Sequence, residues 1–234
     1  LVTGAAGQLG RALLAAAPAG TRVVACTRDD LDIGDGDAIA RLLDRERPQL
    51  LINAAAYTAV DRAEEDRDAA WRSNAEAPGH MARSCARRGI RLFHVSTDFV
   101  FDGSRSAPYP PEAEAQPLGV YGASKRAGEE AVLASGVDGL ILRTGWVYSA
   151  GAGNFLATML RLHRERDELA VVSDQVGTPT AARTLANPLW AAAARPALDG
   201  IYHCSDAGVC SWYDFAVAIG EEAAARGLLE RPAR

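Results

Sequence analysis

Leu1-Val2-Thr3-Gly4-Ala5-Ala6-Gly7-Gln8-Leu9-Gly10 opens the chain. Leu1-Val2-Thr3 reads as the end of a buried strand, and residues 8–17 read as the helix that follows. A strand, a tight glycine turn and a helix N-terminus make an anion site, because backbone N–H groups and the helix dipole face one point. The glycines let the backbone turn sharply, approach a pyrophosphate and pack helix on strand. Their spacing is G-x-x-G-x-x-G, not G-x-G-x-x-G. Read alone, the segment is either a dinucleotide loop or a glycine turn of any α/β protein. The chain starts inside this strand without Met, so the strand is expected to extend upstream.

Strand-like and helix-like stretches alternate beyond it. Strands are expected at 21–26, 49–53, 91–96 and 139–144. Helices are expected at 37–46, capped by Asp37 and closed before Pro48, at 61–88 with a break at Pro78-Gly79, and at 121–133. Residues 104–118, rich in Pro, Ala and Glu, read as a surface loop. After Trp146 the alternation weakens, with helices near 154–168, 181–194 and 211–226 and a strand at 200–204. The pattern predicts an α/β, Rossmann-type doubly wound parallel sheet over residues 1–145, and a smaller mixed α/β substrate-binding lobe over 146–234.

Composition narrows the function classes. Hydrophobic residues make up 48% of the 234, which suits a globular core. No apolar run is long enough to span a bilayer, so no membrane partner is expected. The net charge of −5 gives no basic footprint for nucleic acid, and acids interrupt the basic run at 161–166. Cys26, Cys85, Cys204 and Cys210 form no C-x-x-C pair, as expected of reduced thiols in a cytoplasmic protein. The four histidines show no zinc-ligand spacing, and no metal is expected.

Tyr121-Gly122-Ala123-Ser124-Lys125 carries the second signal. Four residues apart on a helix, Tyr121 and Lys125 share a face. An ammonium beside the phenol is expected to lower its pKa from about 10 toward working pH. Such a phenol exchanges a proton with a carbonyl oxygen as hydride arrives at its carbon. The plainer alternative is a surface Tyr–Lys pair. Upstream, His94-Val95-Ser96-Thr97-Asp98-Phe99-Val100-Phe101-Asp102-Gly103 ends a strand at Ser96 or Thr97, where open parallel sheets bind ligands and a hydroxyl can steady a substrate oxygen. A serine hydrolase is disfavoured, since no G-x-S-x-G elbow is present.

Taken together, these segments resemble the extended short-chain dehydrogenases, and within them the dTDP-4-dehydrorhamnose reductase family. The resemblance also rests on Asn53-Ala54-Ala55-Ala56-Tyr57-Thr58-Ala59-Val60-Asp61, Arg143-Thr144-Gly145-Trp146-Val147-Tyr148 and Asp174-Gln175-Val176-Gly177-Thr178-Pro179-Thr180. It implies reduction of the C4 keto group of a dTDP-4-keto-6-deoxy sugar to dTDP-L-rhamnose, with NADPH, or NADH, as cofactor. It makes Tyr121 the acid, Lys125 its tuner and ribose ligand, and Thr97 the hydroxyl that orients the carbonyl. Gly4, Gly7, Gln8, Leu9 and Gly10 are implied at the cofactor with Ser96, Tyr121 and Lys125. Asp32 and Ile33 are implied near the adenosine, and Ala54, Ala55 and Ala56 along the cofactor. Thr58, Val60, Thr97, Asp98, Phe99, Phe101 and Trp146 are implied at the sugar, although core packing explains Trp146 equally well. Arg28 after the second strand suits a 2′-phosphate and so favours NADPH.

Two departures bear on partners. Some family members hold magnesium between subunits through a glutamate shortly after the third glycine, where this chain has Arg11-Ala12-Leu13. That metal and that dimer are therefore not expected, leaving a monomer or homodimer. Family members also continue past this chain's end, so the C-terminal lobe is expected to be incomplete. Two other readings remain: a non-catalytic regulatory subunit of the methionine adenosyltransferase type, and a reductase of a different dTDP-4-keto sugar.

Overall fold

The computed structural model describes residues 1–151 and 153–233. Its strands are β1 (Val2–Thr3), β2 (Ala25–Cys26), β3 (Leu50–Asn53), β4 (Arg91–Thr97), β5 (Gly139–Thr144), β6 (Val147–Tyr148), β7 (Val176–Gly177), β8 (Thr180–Ala181), β9 (Gly200–His203) and β10 (Cys210–Ser211). The α-helices are α1 (Gln8–Ala15), α2 (Gly36–Glu46), α3 (Arg67–Trp71), α4 (Ala77–Ala86), α5 (Val120–Ala134), α6 (Phe155–Glu165), α7 (Ala182–Ala193) and α8 (Trp212–Ala225).

Six strands form one parallel sheet in the order β2-β1-β3-β4-β5-β9. This is the expected Rossmann-type, doubly wound α/β architecture. Leu92 and Phe93 lie on opposite faces of β4 and both are inaccessible to solvent. A strand covered on both sides must bury both its faces, as Leu92 and Phe93 do here. Leu42 and Leu43 of α2, Met81 and Cys85 of α4, and Val132 of α5 pack with Leu51, Leu92 and Ile141 in one cluster. Each such large side chain contributes about 1.5–3 kcal/mol on burial. Strand order reverses between β1 and β3, so the crevice at a topological switch point opens beside Gly4 and Ala54.

Several expected bounds shift for physical reasons. The second strand is only Ala25–Cys26, because β2 is an edge strand whose sole neighbour, β1, offers two residues. The cap of α2 is Asp35, which accepts from the Asp37 and Ala38 amides at 2.9 and 3.0 Å; Asp37 lies in the first turn instead. The expected helix at 61–88 divides into a 3-10 turn (Asp61–Glu64), α3, a π-turn (Arg72–Glu76) and α4. Pro78 sits in the first turn of α4 rather than breaking it. Having no N–H, it cannot serve the carbonyl of Asn74, and the wider π-turn precedes it.

The chain forms two compact units. One comprises Leu1–Thr144 and Ala186–Cys204; the other comprises Gly145–Leu185 and Ser205–Arg234. The expected division at 145/146 therefore misplaces 186–204. All six residues of β5 are buried, so its outer edge needs a hydrogen-bonding neighbour, and β9 supplies it from Leu140↔Gly200 to Arg143↔His203. In the second unit β6 pairs with β8 and β10 with β7. Its helices α6 and α8 meet through Met159, Ala216 and Ile219. Among the described residues no helix is long and apolar enough to cross a membrane.

Candidate active site

The opening turn has the form a pyrophosphate requires. Gly4 has φ +68°, and a Cβ there would lie 2.7 Å from the backbone of Ala54 and Ala55. A Cβ on Gly10 would lie 2.1 Å from the Gly4 carbonyl oxygen. The turn after β1 thus presses against the end of β3, and α1 presses against the turn, as only glycine permits. Gly7 is the N-cap of α1; no side chain caps this N-terminus and no acidic residue stands in its first turn. Half-buried Gln8 and buried Leu9 begin that helix. Ala54, Ala55 and Ala56 follow β3, half-buried, beside the turn. The uncapped helix N-terminus and the glycine turn supply a donor set that fits a dinucleotide pyrophosphate.

At the same edge of the sheet, β4 ends in Ser96 and Thr97, both buried. Helix α5 reaches this point by a close approach: a Cβ on Gly122 would lie 2.2 Å from the Phe99 carbonyl oxygen. Glu64, from the 3-10 turn, caps α5 from outside by accepting from the Val120 amide at 2.7 Å. The Thr97 side chain acts on the Tyr121 phenol. The Thr97 hydroxyl also donates to Asp98 Oδ1 at 3.1 Å and accepts from the Phe99 amide at 3.2 Å. Phe99, 42% exposed, meets the Tyr121 ring edge-on at 5.6 Å. Val60 packs against Val120 and Tyr121, whereas Thr58 is exposed.

The electrostatics correct one expectation. Burial pushes the Tyr121 phenol up to about 12, the Thr97 hydroxyl pulls it down, and Asp98 pushes it up again. The ammonium of Lys125 is directed elsewhere, donating to the Val95 carbonyl at 2.7 Å. Tyr121 is therefore held as a neutral phenol, the form that donates a proton. Lys125 is 2% exposed, and burial lowers it to about 8 against the raising effect of Glu129. It is the only lysine in the chain; every other basic side chain is arginine. A compact ammonium whose proton can be loosened by burial differs chemically from a guanidinium, and only position 125 uses one.

Beneath this edge runs a polar layer that the sequence reading missed. The Thr3 hydroxyl donates to Asn53 Oδ1 at 2.7 Å, and the Ala55 amide donates to the same oxygen at 3.2 Å. The Asn53 amide nitrogen therefore faces His94 Nδ1, at 3.0 Å, and the ring accepts. His94 is fully buried, and burial followed by the Lys125 charge holds it well below its usual pKa. Asn74, on the π-turn, binds the Tyr57 amide and carbonyl at 2.9 and 3.0 Å and the Ser124 hydroxyl at 3.1 Å. It fixes the β3 loop to the Tyr121 helix. Thr3, Asn53, Tyr57, His94 and Ser124 lie within the quoted segments without an assigned role, and no motif marks Asn74.

A neutral buried histidine predicts acid sensitivity. Unfolded, His94 titrates near 6.5; folded, it stays neutral well below that. The unfolded state then binds more protons as pH falls through 6.5, and stability drops by about 1.4 kcal/mol at pH 5.5. Melting temperatures at pH 7.5 and 5.5, above the carboxylate range, test this. His94→Gln should flatten the profile, and an unchanged slope would contradict the assignment.

The remaining expected residues lie as follows. Arg28 is exposed beyond β2, next to Asp30, which is tied to the Thr27 hydroxyl at 2.7 Å. Asp32 is hydrogen-bonded to Arg72 and to the Gly34 amide, which hold its carboxyl below the usual range. Ile33 packs on the hydrophobic core. Phe101 is buried, stacked on Tyr109 at 4.4 Å with the Arg143 guanidinium over its ring at 5.0 Å. In the second unit Trp146 has φ +49°, an unusual backbone for a bulky residue. Its ring stacks on Trp212 at 3.5 Å, and Gly177 lies against it. Among the described residues no cluster suited to a metal ion is present.

The model of the RmlD substrate binding domain family matches residues 1–233. The chain belongs to this family. A dTDP-4-dehydrorhamnose reductase of Burkholderia thailandensis is 45% identical over 227 residues, covering 94% of this chain and 76% of that one. A dTDP-4-keto-6-deoxy-D-glucose reductase of Streptomyces niveus is 43% identical over 218 residues, covering 92% of this chain and 75% of its own. The crystal structure of a Bacillus anthracis dTDP-4-dehydrorhamnose reductase in complex with NADP superposes with TM-score 0.94 at 35% identity, over 100% of this chain and 81% of that one.

Proposed function

We propose that this chain is an NAD(P)-dependent oxidoreductase that reduces the C4 keto group of a dTDP-4-keto-6-deoxy sugar, dTDP-4-dehydrorhamnose in the first instance. The observation that carries this reading is the Tyr121 phenol, acted on by Thr97 and one helical turn from buried Lys125, at the sheet edge that also bears the Gly4 turn. Relatives at 43–45% identity named as dTDP-4-keto sugar reductases support it. The NADP-bound structural relative and exposed Arg28 favour NADPH over NADH.

The residues divide the work as follows. Bound NADPH supplies the hydride. The glycine turn and the N-terminus of α1 would hold its pyrophosphate, and Lys125 would meet a ribose hydroxyl. Thr97 orients the sugar carbonyl, and Tyr121 gives its proton to the oxygen as charge develops there. A developing alkoxide is more basic than a phenolate, so even a phenol pushed up to about 12 donates downhill. In this reading Thr58, Val60, Asp98 and Phe99 of the first unit face the sugar; in the second unit the ring plane of Trp146 is set by Trp212. The unit of 145–185 and 205–233 serves as the substrate lobe. Nothing in this chemistry calls for a metal, and the free thiols suit a cytoplasmic setting.

The test is NADPH oxidation on addition of dTDP-4-keto-6-deoxyhexose, repeated with NADH. Turnover with a preference for NADPH is expected. A folded protein that binds both ligands without turnover would instead support the regulatory-subunit reading, and co-purification of a partner enzyme would then separate the two. A relative that acts on another 4-keto sugar makes a substrate panel the way to fix the sugar.

A further inference from the structure

Behind the Tyr121–Lys125 pair lies a buried ion cluster with no part in the chemistry above. Glu129 stands one helical turn beyond Lys125 on the same face of α5 and has no solvent exposure. Arg143 of β5, itself 3% exposed, grips it through both oxygens: Nε to Oε1 at 2.8 Å and Nη2 to Oε2 at 2.7 Å. Arg126 adds a third contact at 3.1 Å. Burying a charge pair is unfavourable unless geometry and hydrogen bonding are nearly complete, and an apolar pair would pack here as well. The cluster therefore invites a reason beyond stability.

Lys125 supplies one. Its Nζ donates to the Val95 carbonyl, a neutral acceptor. Among the described residues, the titratable and charged groups around it are Glu129, Tyr121 and Arg126 on its own helix, His94 from β4, Arg143 from β5, and Asp98 and Glu64 from the 3-10 turns packed on α5. His94 is neutral. Asp98 faces the Thr97 hydroxyl, and Glu64 is spent on the Val120 amide. Glu129 is left as the anion that acts on the lysine. We propose that Glu129, clamped by Arg143, is a positioning residue whose carboxylate keeps the Lys125 side chain an ammonium in its dry setting. The clamp matters because it fixes the carboxylate in its ionised form: burial pushes Glu129 up, but the hydrogen bonds and charge of Arg143, together with Ser96 and Arg126, outweigh it and leave the carboxyl below its usual range. The same guanidinium donates to the Pro111 carbonyl at 3.2 Å and covers Phe101, so charge control and the loop before α5 share one anchor. As a statement about catalysis this rests on the reductase reading; as a statement about Lys125 it does not.

Because the chain has one lysine, untagged protein labelled with isotopic lysine gives one side-chain NMR signal, and its titration reports Lys125 directly. Lys125 is lowered to about 8 in the native protein. Glu129→Gln removes the opposing charge, so the midpoint should fall, and the alkaline limb of kcat/KM should move down by the same amount. Glu129→Asp should restore most of both. If the single variant does not fold, Glu129→Gln with Arg143→Met removes both charges together and should still lower the midpoint. A folded variant of either kind with an unmoved lysine midpoint overturns the proposal, whatever its activity. A shifted midpoint in a protein that never turned over a 4-keto sugar would instead count against the reductase reading alone.

Discussion

Tyr121→Phe is expected to lose about 10²–10⁴-fold in kcat while binding NADPH as the native protein does. In the proposed reading the hydroxyl protonates the reduced oxygen, whereas Asp98, the other acid beside Thr97, accepts the Thr97 proton. The ring remains, 9% exposed and edge-on to Phe99, so packing is hardly altered. Thr97 keeps its bond to Asp98. The loss should thus fall on kcat, with melting temperature and cofactor affinity nearly unchanged. Steady-state kinetics together with a cofactor titration check it. Native turnover in this variant would remove Tyr121 from the chemistry, and lost cofactor binding would make its role structural.

Gly4→Ala should be the most disruptive single-methyl change in the glycine turn. Two costs add. An alanine at φ +68° is strained, and its Cβ would lie 2.7 Å from the Ala54–Ala55 backbone, which cannot swing aside as a side chain would. Together these amount to about 2–5 kcal/mol, or roughly 5–20 °C in melting temperature for a chain of this size. NADPH affinity should fall as well, because the turn must move off β3. Gly20→Ala is the control: φ is +80°, but nothing lies within 4 Å of the added carbon. It should show the backbone cost alone and leave NADPH binding intact. Equal losses in the two variants would mean that the close approach at Gly4 carries no energy.

The site was legible where chemistry needs residue types at fixed spacing along one element. Gly4, Gly7 and Gly10 lie within a single turn and helix start, and Tyr121 and Lys125 lie one helical turn apart. The underlayer was not legible, because Thr3, Asn53 and His94 come from three strands whose alignment is a property of the sheet. The phenol's direction of shift was misjudged for a related reason. Spacing puts Lys125 near Tyr121, but burial and the Val95 carbonyl decide where its charge acts.

By itself the sequence determined the alternation of strands and helices, and hence a parallel sheet with ligands at its C-terminal edge. Period, turn residues and the need to bury both faces of each strand are local properties, and they survive without knowledge of neighbours. Only the tertiary structure decided that β9 closes the edge of β5, that a π-turn before Pro78 carries Asn74 to the Tyr121 helix, and that Glu129 meets Arg143. Those pairings follow from long-range demands, namely an unpaired buried edge, a missing N–H and a buried charge, and what satisfies each is set by which residues fold close by.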